Sequence, residues 1–236
     1  MTTTLITGAN KGLGFETARQ LIAAGHTVYL GSRDPERGRR AAERLGARAV
    51  RLDVTDDASV EEAAKTVEAE GGLDVLVNNA GIAPEWTDNN GVIGPAELTA
   101  ELMRHTFETN VFGVVRVLHA FLPLLRRSSA SVVVNVSSGL GSLTWSSTPG
   151  THQRSYEGVA YPASKTALNM ITVRYATAFP NMRINAVGPG FTRTALNRNT
   201  GTQTVEQGAE FIARMAQIGP DGPSGGYFHA GDTIPW

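Results

Sequence analysis

The sequence predicts an α/β protein: one domain over residues 1–236, built on a doubly wound parallel sheet of about seven strands flanked by helices. Three observations carry this. Short apolar runs alternate with helical patterns from the first residues onward. Several runs are apolar on both faces, as strands covered by helices on each side must be. A glycine-rich turn joins the first run to the first helical pattern.

In chain order the strands are expected at Thr4 to Thr7, Thr27 to Gly31, Ala47 to Leu52, Val75 to Asn78, Ser131 to Ser137, Arg183 to Val187 and, more weakly patterned, Gly226 to His229. Crossover helices are expected at Phe15 to Ala24, Pro35 to Leu45, Ala58 to Ala69, Glu97 to Leu125, Ala160 to Phe179 and Val205 to Ala216. The third follows Asp53-Val54-Thr55-Asp56-Asp57, whose carboxylates and hydroxyl suit an N-cap and the positive end of a helix dipole. Residues 82–95 and 139–158 are too rich in Gly, Pro, Ser, Thr and Asn to be plain crossovers, and 190–204 follows the sixth strand. Ligands bind beyond the carboxyl ends of strands in open α/β sheets, so all three are expected to wall a cleft.

Composition narrows the partners. A net charge of -1 and the absence of a lysine-rich run argue against nucleic acid. No cysteine means no disulfide, thiolate metal site or thiol nucleophile, which suits the reducing cytoplasm. The first residues lack a basic, then apolar, export pattern, and no apolar run approaches membrane-spanning length, so neither export nor a membrane is expected. Five scattered histidines without ligand spacing leave no expected metal site, and the Walker spacing is absent.

Gly8-Ala9-Asn10-Lys11-Gly12-Leu13-Gly14 lies between strand and helix, where glycines let the backbone approach a pyrophosphate and a helix N-terminus presents its N–H groups. Tyr161-Pro162-Ala163-Ser164-Lys165 opens a later helix, and its i, i+4 spacing puts a phenol and an ammonium on one face. Pro162 is tolerated only in a first turn, so Tyr161 should stand at the helix start. A phenol of ordinary pKa about 10 becomes a better proton exchanger beside a cation. Ser138 closes the apolar run from Val132, with Ser137 as its competitor, and Asn110 is a polar residue inside an amphipathic helix.

Together these residues resemble the short-chain dehydrogenase/reductase family, and its carbonyl reductase-like subgroup in particular. The carriers are TGxxxGxG at Thr7 to Gly14, Asn78-Asn79-Ala80-Gly81, Ser137-Ser138, Tyr161 with Lys165, and Gly188-Pro189-Gly190-Phe191-Thr192-Arg193-Thr194. The resemblance implies a Rossmann-like fold and hydride transfer between a nicotinamide dinucleotide and a carbonyl or alcohol. Tyr161 would be the proton donor in reduction, Ser138 the contact to the carbonyl oxygen, Lys165 the partner of the phenol and of the nicotinamide ribose, and Asn110 the organiser of a proton relay. Gly8, Asn10, Lys11, Gly12, Leu13, Gly14, Asp53, Val54, Asn79, Ala80, Gly81, Pro189, Gly190, Thr192 and Thr194 would hold the dinucleotide with Tyr161 and Lys165.

Arg33 and Lys11 would clamp a 2′-phosphate, so NADP(H) is the expected cofactor; the adjacent Asp34 would favour NAD(H) if it faced the ribose. Reduction of a hydrophobic ketone, aldehyde or quinone by NADPH is the leading expectation. Its alternatives are an NAD-linked secondary-alcohol dehydrogenase and a dinucleotide-binding regulator without turnover. Trp86, Trp145, Tyr156, Phe191 and Trp236 are candidates for an apolar substrate pocket. The stretch from Leu140 to Gly158 is longer than in compact family members and resembles the insertion of monomeric carbonyl reductases, which leaves monomer and homo-oligomer both open.

Overall fold

A computed structural model describes residues 2–87, 91–229 and 231–236; residues 88–90 of the 82–95 segment, and Ala230, thus lie outside the described residues. In chain order the elements are β1 Thr3–Ile6, α1 Gly12–Ala23, β2 Thr27–Ser32, α2 Pro35–Leu45, β3 Arg48–Arg51, α3 Asp57–Ala69, β4 Val75–Asn78, α4 Ala100–Phe107, a π-helical turn Glu108–Phe112 and α5 Gly113–Arg127. Then come β5 Val132–Val136, a 3₁₀ turn Gly139–Gly141, α6 Leu143–Ser147, α7 Ala160–Ala178, β6 Arg183–Gly188, a 3₁₀ turn Ala195–Asn197, α8 Val205–Met215, β7 Tyr227–His229 and β8 Asp232–Thr233.

The strands form one sheet in the order β3-β2-β1-β4-β5-β6-β7-β8. All neighbours pair in parallel except β7 and β8, which are antiparallel. Alternation within the apolar runs decides which helices cover which face. Leu5, Leu76 and Val133 point into a core with Val60 and Val67 of α3, Val117 and Phe121 of α5 and Leu168 of α7. Their neighbours Ile6, Val77 and Val134 point the other way, to Ala18 and Leu21 of α1, Ala41 of α2 and Phe211 and Ile212 of α8. The order reverses between β1 and β4, which opens a crevice at the carboxyl ends of the strands.

Three expectations are corrected. The eighth strand, β8, is too short and too polar to show a pattern; only its pairing with β7 reveals it. The helix expected from Glu97 to Leu125 begins at Ala100, where Thr99 accepts from the Leu102 N–H, and is broken into two α segments by the π turn. Its stretch Ala100–Leu125 is long and apolar enough to cross a membrane, contrary to the sequence expectation. Here Val114, Val117, Leu118 and Phe121 are buried against the sheet, as a core helix requires.

Candidate active site

The switch point brings the glycine-rich turn and the Asn78 to Gly81 motif into contact. Gly8 and Gly12 have positive φ (63° and 57°), a conformation that other residues adopt at a cost. A Cβ on Gly8 would lie 3.0 Å from Ala80 Cα, and one on Gly14 2.5 Å from Asn79 Nδ2. Asn79 Nδ2 donates to Thr7 O (2.9 Å) and Gly8 O (3.2 Å), while Thr7 Oγ1 accepts from the N–H groups of Asn79 and Ala80. Asn79 thus staples the turn with its side chain, and Thr7, which the motif reading left without a role, is the other half of the staple.

Helices α2 and α3 are capped by Asp34 and Asp56, and α8 by Thr204, but no side chain caps α1, whose first turn is Gly12, Leu13 and Gly14. An uncapped N-terminus behind a close-packed glycine turn fits the phosphates of a dinucleotide. Nearby, Lys11 and Arg33 are exposed, and neither has an ion-pair partner among the described residues. Asp34 is occupied: Oδ1 accepts from the N–H groups of Glu36 and Arg37, and Oδ2 meets Arg37 Nε at 3.2 Å. This carboxylate caps α2, so a contact to a ribose hydroxyl would compete with its own helix.

Asp53 Oδ1 accepts from the N–H and hydroxyl of Thr55, and Val54 is buried against Gly113. Beyond β6, Gly190 has φ 85°, and the Gln203 side chain donates to Pro189 O and to Thr192 Oγ1. Thr192 is buried, and Asn197 Nδ2 donates to its carbonyl while Asn197 Oδ1 accepts from Thr194 N–H. The hydroxyl expected to face a ligand from Thr192 is therefore tied to its own loop, and Gln203 and Asn197 are scaffold residues that no motif announced.

The four expected catalytic residues converge at the end of β5. Tyr161 is the second residue of α7 and Pro162 the third, as the first-turn argument requires. Ser138 lies beside the Tyr161 phenol and favours its ionised form. Ser137 is turned into the core instead, donating to Asn169 Oδ1 at 2.6 Å, which separates the two serines. The buried Lys165 ammonium donates to Val136 O (2.7 Å) and lies 5.6 Å from the centre of the Tyr161 ring.

Asn110 sits in the π turn, whose extra residue redirects a helix side chain. Its carboxamide accepts from Ile82 N–H (2.8 Å) and donates to Ile82 O (2.9 Å) and Ser164 Oγ (3.0 Å). Ser164 Oγ in turn donates to Tyr161 O. Gly81 lies beside Asn110 and Lys165, since a Cβ there would be 3.4 Å from Asn110 Oδ1 and 3.7 Å from Lys165 Nζ, ordinary contact distances.

Charge does not follow the simplest expectation. Burial pushes the Tyr161 phenol up to about 12; Ser138 opposes the rise, and Tyr227 and Glu85 add to it. Burial likewise lowers Lys165 to about 8. In the chain alone, desolvation is the largest influence on both groups.

Support comes from residues that no motif contains. The Tyr227 hydroxyl donates to Ser138 O, and its ring stacks on Trp236 at 5.2 Å. Ser142 Oγ donates to Pro235 O, and Thr144 N and Oγ1 to Trp236 O, so the 232–236 segment pins the loop behind Ser138. The aromatic candidates therefore divide. Trp86 lies beside Tyr156 (6.3 Å), Phe191 beside His152 and Trp145 beside His229 (5.7 Å each), whereas Trp236 backs the scaffold.

A phenol and an ammonium at the carboxyl end of β5, next to the switch point of an open α/β sheet whose glycine turn leads into an uncapped helix, define a dinucleotide-dependent oxidoreductase. A family model described as short chain dehydrogenase matches residues 2–205, and the chain belongs to that family. It is 33% identical to a (+)-neomenthol dehydrogenase from Capsicum annuum, over 95% of this chain and 94% of the relative. Among solved structures, salutaridine reductase from Papaver somniferum aligns with a TM-score of 0.85 and 30% identity, covering 97% of this chain and 99% of the other. An NADPH-bound carbonyl reductase from chicken fatty liver aligns with a TM-score of 0.85 and 26% identity, covering 100% and 99%.

Proposed function

We propose that this enzyme uses NADPH to reduce a hydrophobic ketone, aldehyde or quinone, in a single catalytic domain whose cleft is walled by residues 82–95, 139–158 and 190–204. The observation that carries the reading is the buried Lys165 at the end of β5, whose ammonium donates to Val136 O and lies 5.6 Å from the centre of the Tyr161 ring, with Ser138 just beyond the same strand. The bound dinucleotide supplies the hydride. Ser138 steadies the carbonyl oxygen as negative charge develops on it, and Tyr161 gives that oxygen its proton. Lys165 holds the nicotinamide ribose and stabilises the phenolate left behind. Asn110 fixes Ile82 and Ser164 around them and organises the return of a proton toward Lys165.

NADPH over NADH is supported by the exposed Lys11 and Arg33 and by the engagement of Asp34 with α2 and Arg37. The names of the relatives agree: one solved structure is an NADPH-bound carbonyl reductase, and others reduce salutaridine or menthone. Gly8 to Gly14 would take the phosphates, Asp53 and Val54 the adenine, Asn79 to Gly81 the sugar side, and Pro189, Gly190, Thr192 and Thr194 the nicotinamide amide. Trp86, Tyr156 and Phe191 would give the cleft an apolar lining.

A panel of cyclic ketones, aldehydes and quinones, assayed with NADPH and with NADH, tests the reading. Consumption of NADPH with at least one hydrophobic carbonyl, at a kcat/KM clearly above that with NADH, is expected. Bound NADPH that no carbonyl consumes would instead indicate a regulator.

A further inference from the structure

Glu85 is the one fully buried carboxylate among the described residues that the chemistry above does not use. It lies in the segment after β4, far from α7 in sequence, and its two oxygens are divided. Oε2 accepts from the Tyr161 N–H at 2.9 Å, and Oε1 accepts from the Tyr156 hydroxyl at 2.7 Å. Its carbonyl accepts from Ile93 N–H at 2.8 Å, which closes the segment on itself. A Cβ at Gly158 would collide with Oε1, so the chain just before α7 is shaped around this carboxyl group.

Helix α7 needs such a partner. Its N-cap is Val159, which has no side-chain acceptor, and the first-turn N–H groups would otherwise be orphaned in a buried place. Glu85 satisfies the N–H of the very residue whose phenol faces Ser138. Through Tyr156 it also ties the segment before α7 to the segment after β4, and Trp86 lies beside Tyr156. One carboxylate therefore joins two walls of the cleft to the head of the helix.

We propose that Glu85 is a positioning residue for Tyr161, which holds the phenol against Ser138 and places a negative charge beside it. The inference rests on the reading of Tyr161 as proton donor. The titratable groups around the phenol are Lys165 on its own helix, Tyr156 before it, Tyr227 on β7 and Glu85 after β4. Of these, Tyr227 and Glu85 raise the phenol's pKa electrostatically. A nearby anion keeps a phenol protonated to higher pH, and a proton donor works only while protonated.

The sign of the consequence can be read in the pH dependence of kcat/KM for reduction, measured on the full chain with NADPH and the best ketone of the panel. Glu85→Gln removes the charge, and the alkaline fall of activity should move down by about 0.5 pH unit or more. Tyr156→Phe keeps the carboxylate but takes away a donor that offsets its charge, and should move the fall upward. NADPH affinity, followed by fluorescence, should change by less than about twofold in both. Purely structural damage would not shift the two profiles in opposite directions.

Profiles that superimpose on the parent, or that move the same way, overturn the role. Should Glu85→Gln fail to fold, Tyr156→Phe decides alone: an upward shift supports the role and an unmoved fall overturns it. Tyr161→Phe in the same assay separates the two failures. Surviving turnover there defeats the proton-donor reading itself, whereas lost turnover with unmoved profiles defeats only the role of Glu85.

Discussion

Arg33 and Lys11 are exposed cations without an ion-pair partner among the described residues, while the donors to Asp34 come from α2. A guanidinium in that place should discriminate a 2′-phosphate from a hydroxyl. NADPH is therefore expected to bind at least about tenfold more tightly than NADH, and Arg33→Asp to narrow or invert the ratio. Fluorescence titration with both cofactors checks this, and equal affinities in the parent would defeat the assignment. Individual side chains were also where the sequence was least readable. Tyr161, Lys165, Ser138 and Asn110 stand in local motifs, so short spacing exposes them. Glu85, Tyr227 and Asn169 act on partners distant in sequence, and only folding brings them there.

Helix ends decide much of the chemistry. Among α1, α2, α3 and α8, only α1 lacks a side-chain cap, and it is the one that opens on the glycine turn. If Asp34 serves α2 rather than a ribose, Asp34→Ala should cost about 1 kcal/mol of stability, as N-cap removals do. It should leave NADH affinity unchanged. Urea denaturation and an NADH titration test the pair of outcomes; a loss of NADH binding without a loss of stability would put the carboxylate at the ribose. Period and turn chemistry made seven of the strands and five of the six crossover helices legible, with ends displaced by a few residues, and gave the sixth as one helix where the structure has α4 and α5. The π turn was not, because one extra residue leaves the apolar spacing of a long helix nearly intact. Nor was β8, whose two polar residues form a strand only through their pairing with β7.

Taken as a single object, the sheet places residues from almost the whole chain at one edge. The glycine turn follows β1, the Asn78 to Gly81 motif follows β4, Ser138 follows β5, and the C-terminal strands press Tyr227 and Trp236 behind it. The crevice arises because the strand order reverses between β1 and β4, a property of the fold that the alternating pattern already implied. The segments after β4 and before α7 were legible only as irregular stretches, since contacts such as Glu85 with Tyr156 follow from no local rule. All of these parts converge on one phenol. The most direct measurement is the turnover of Tyr161→Phe with NADPH and a reducible ketone, alongside its NADPH affinity. Turnover should fall by about a hundredfold or more while affinity is preserved, since only the proton donor is removed; turnover equal to the parent's would contradict the assignment.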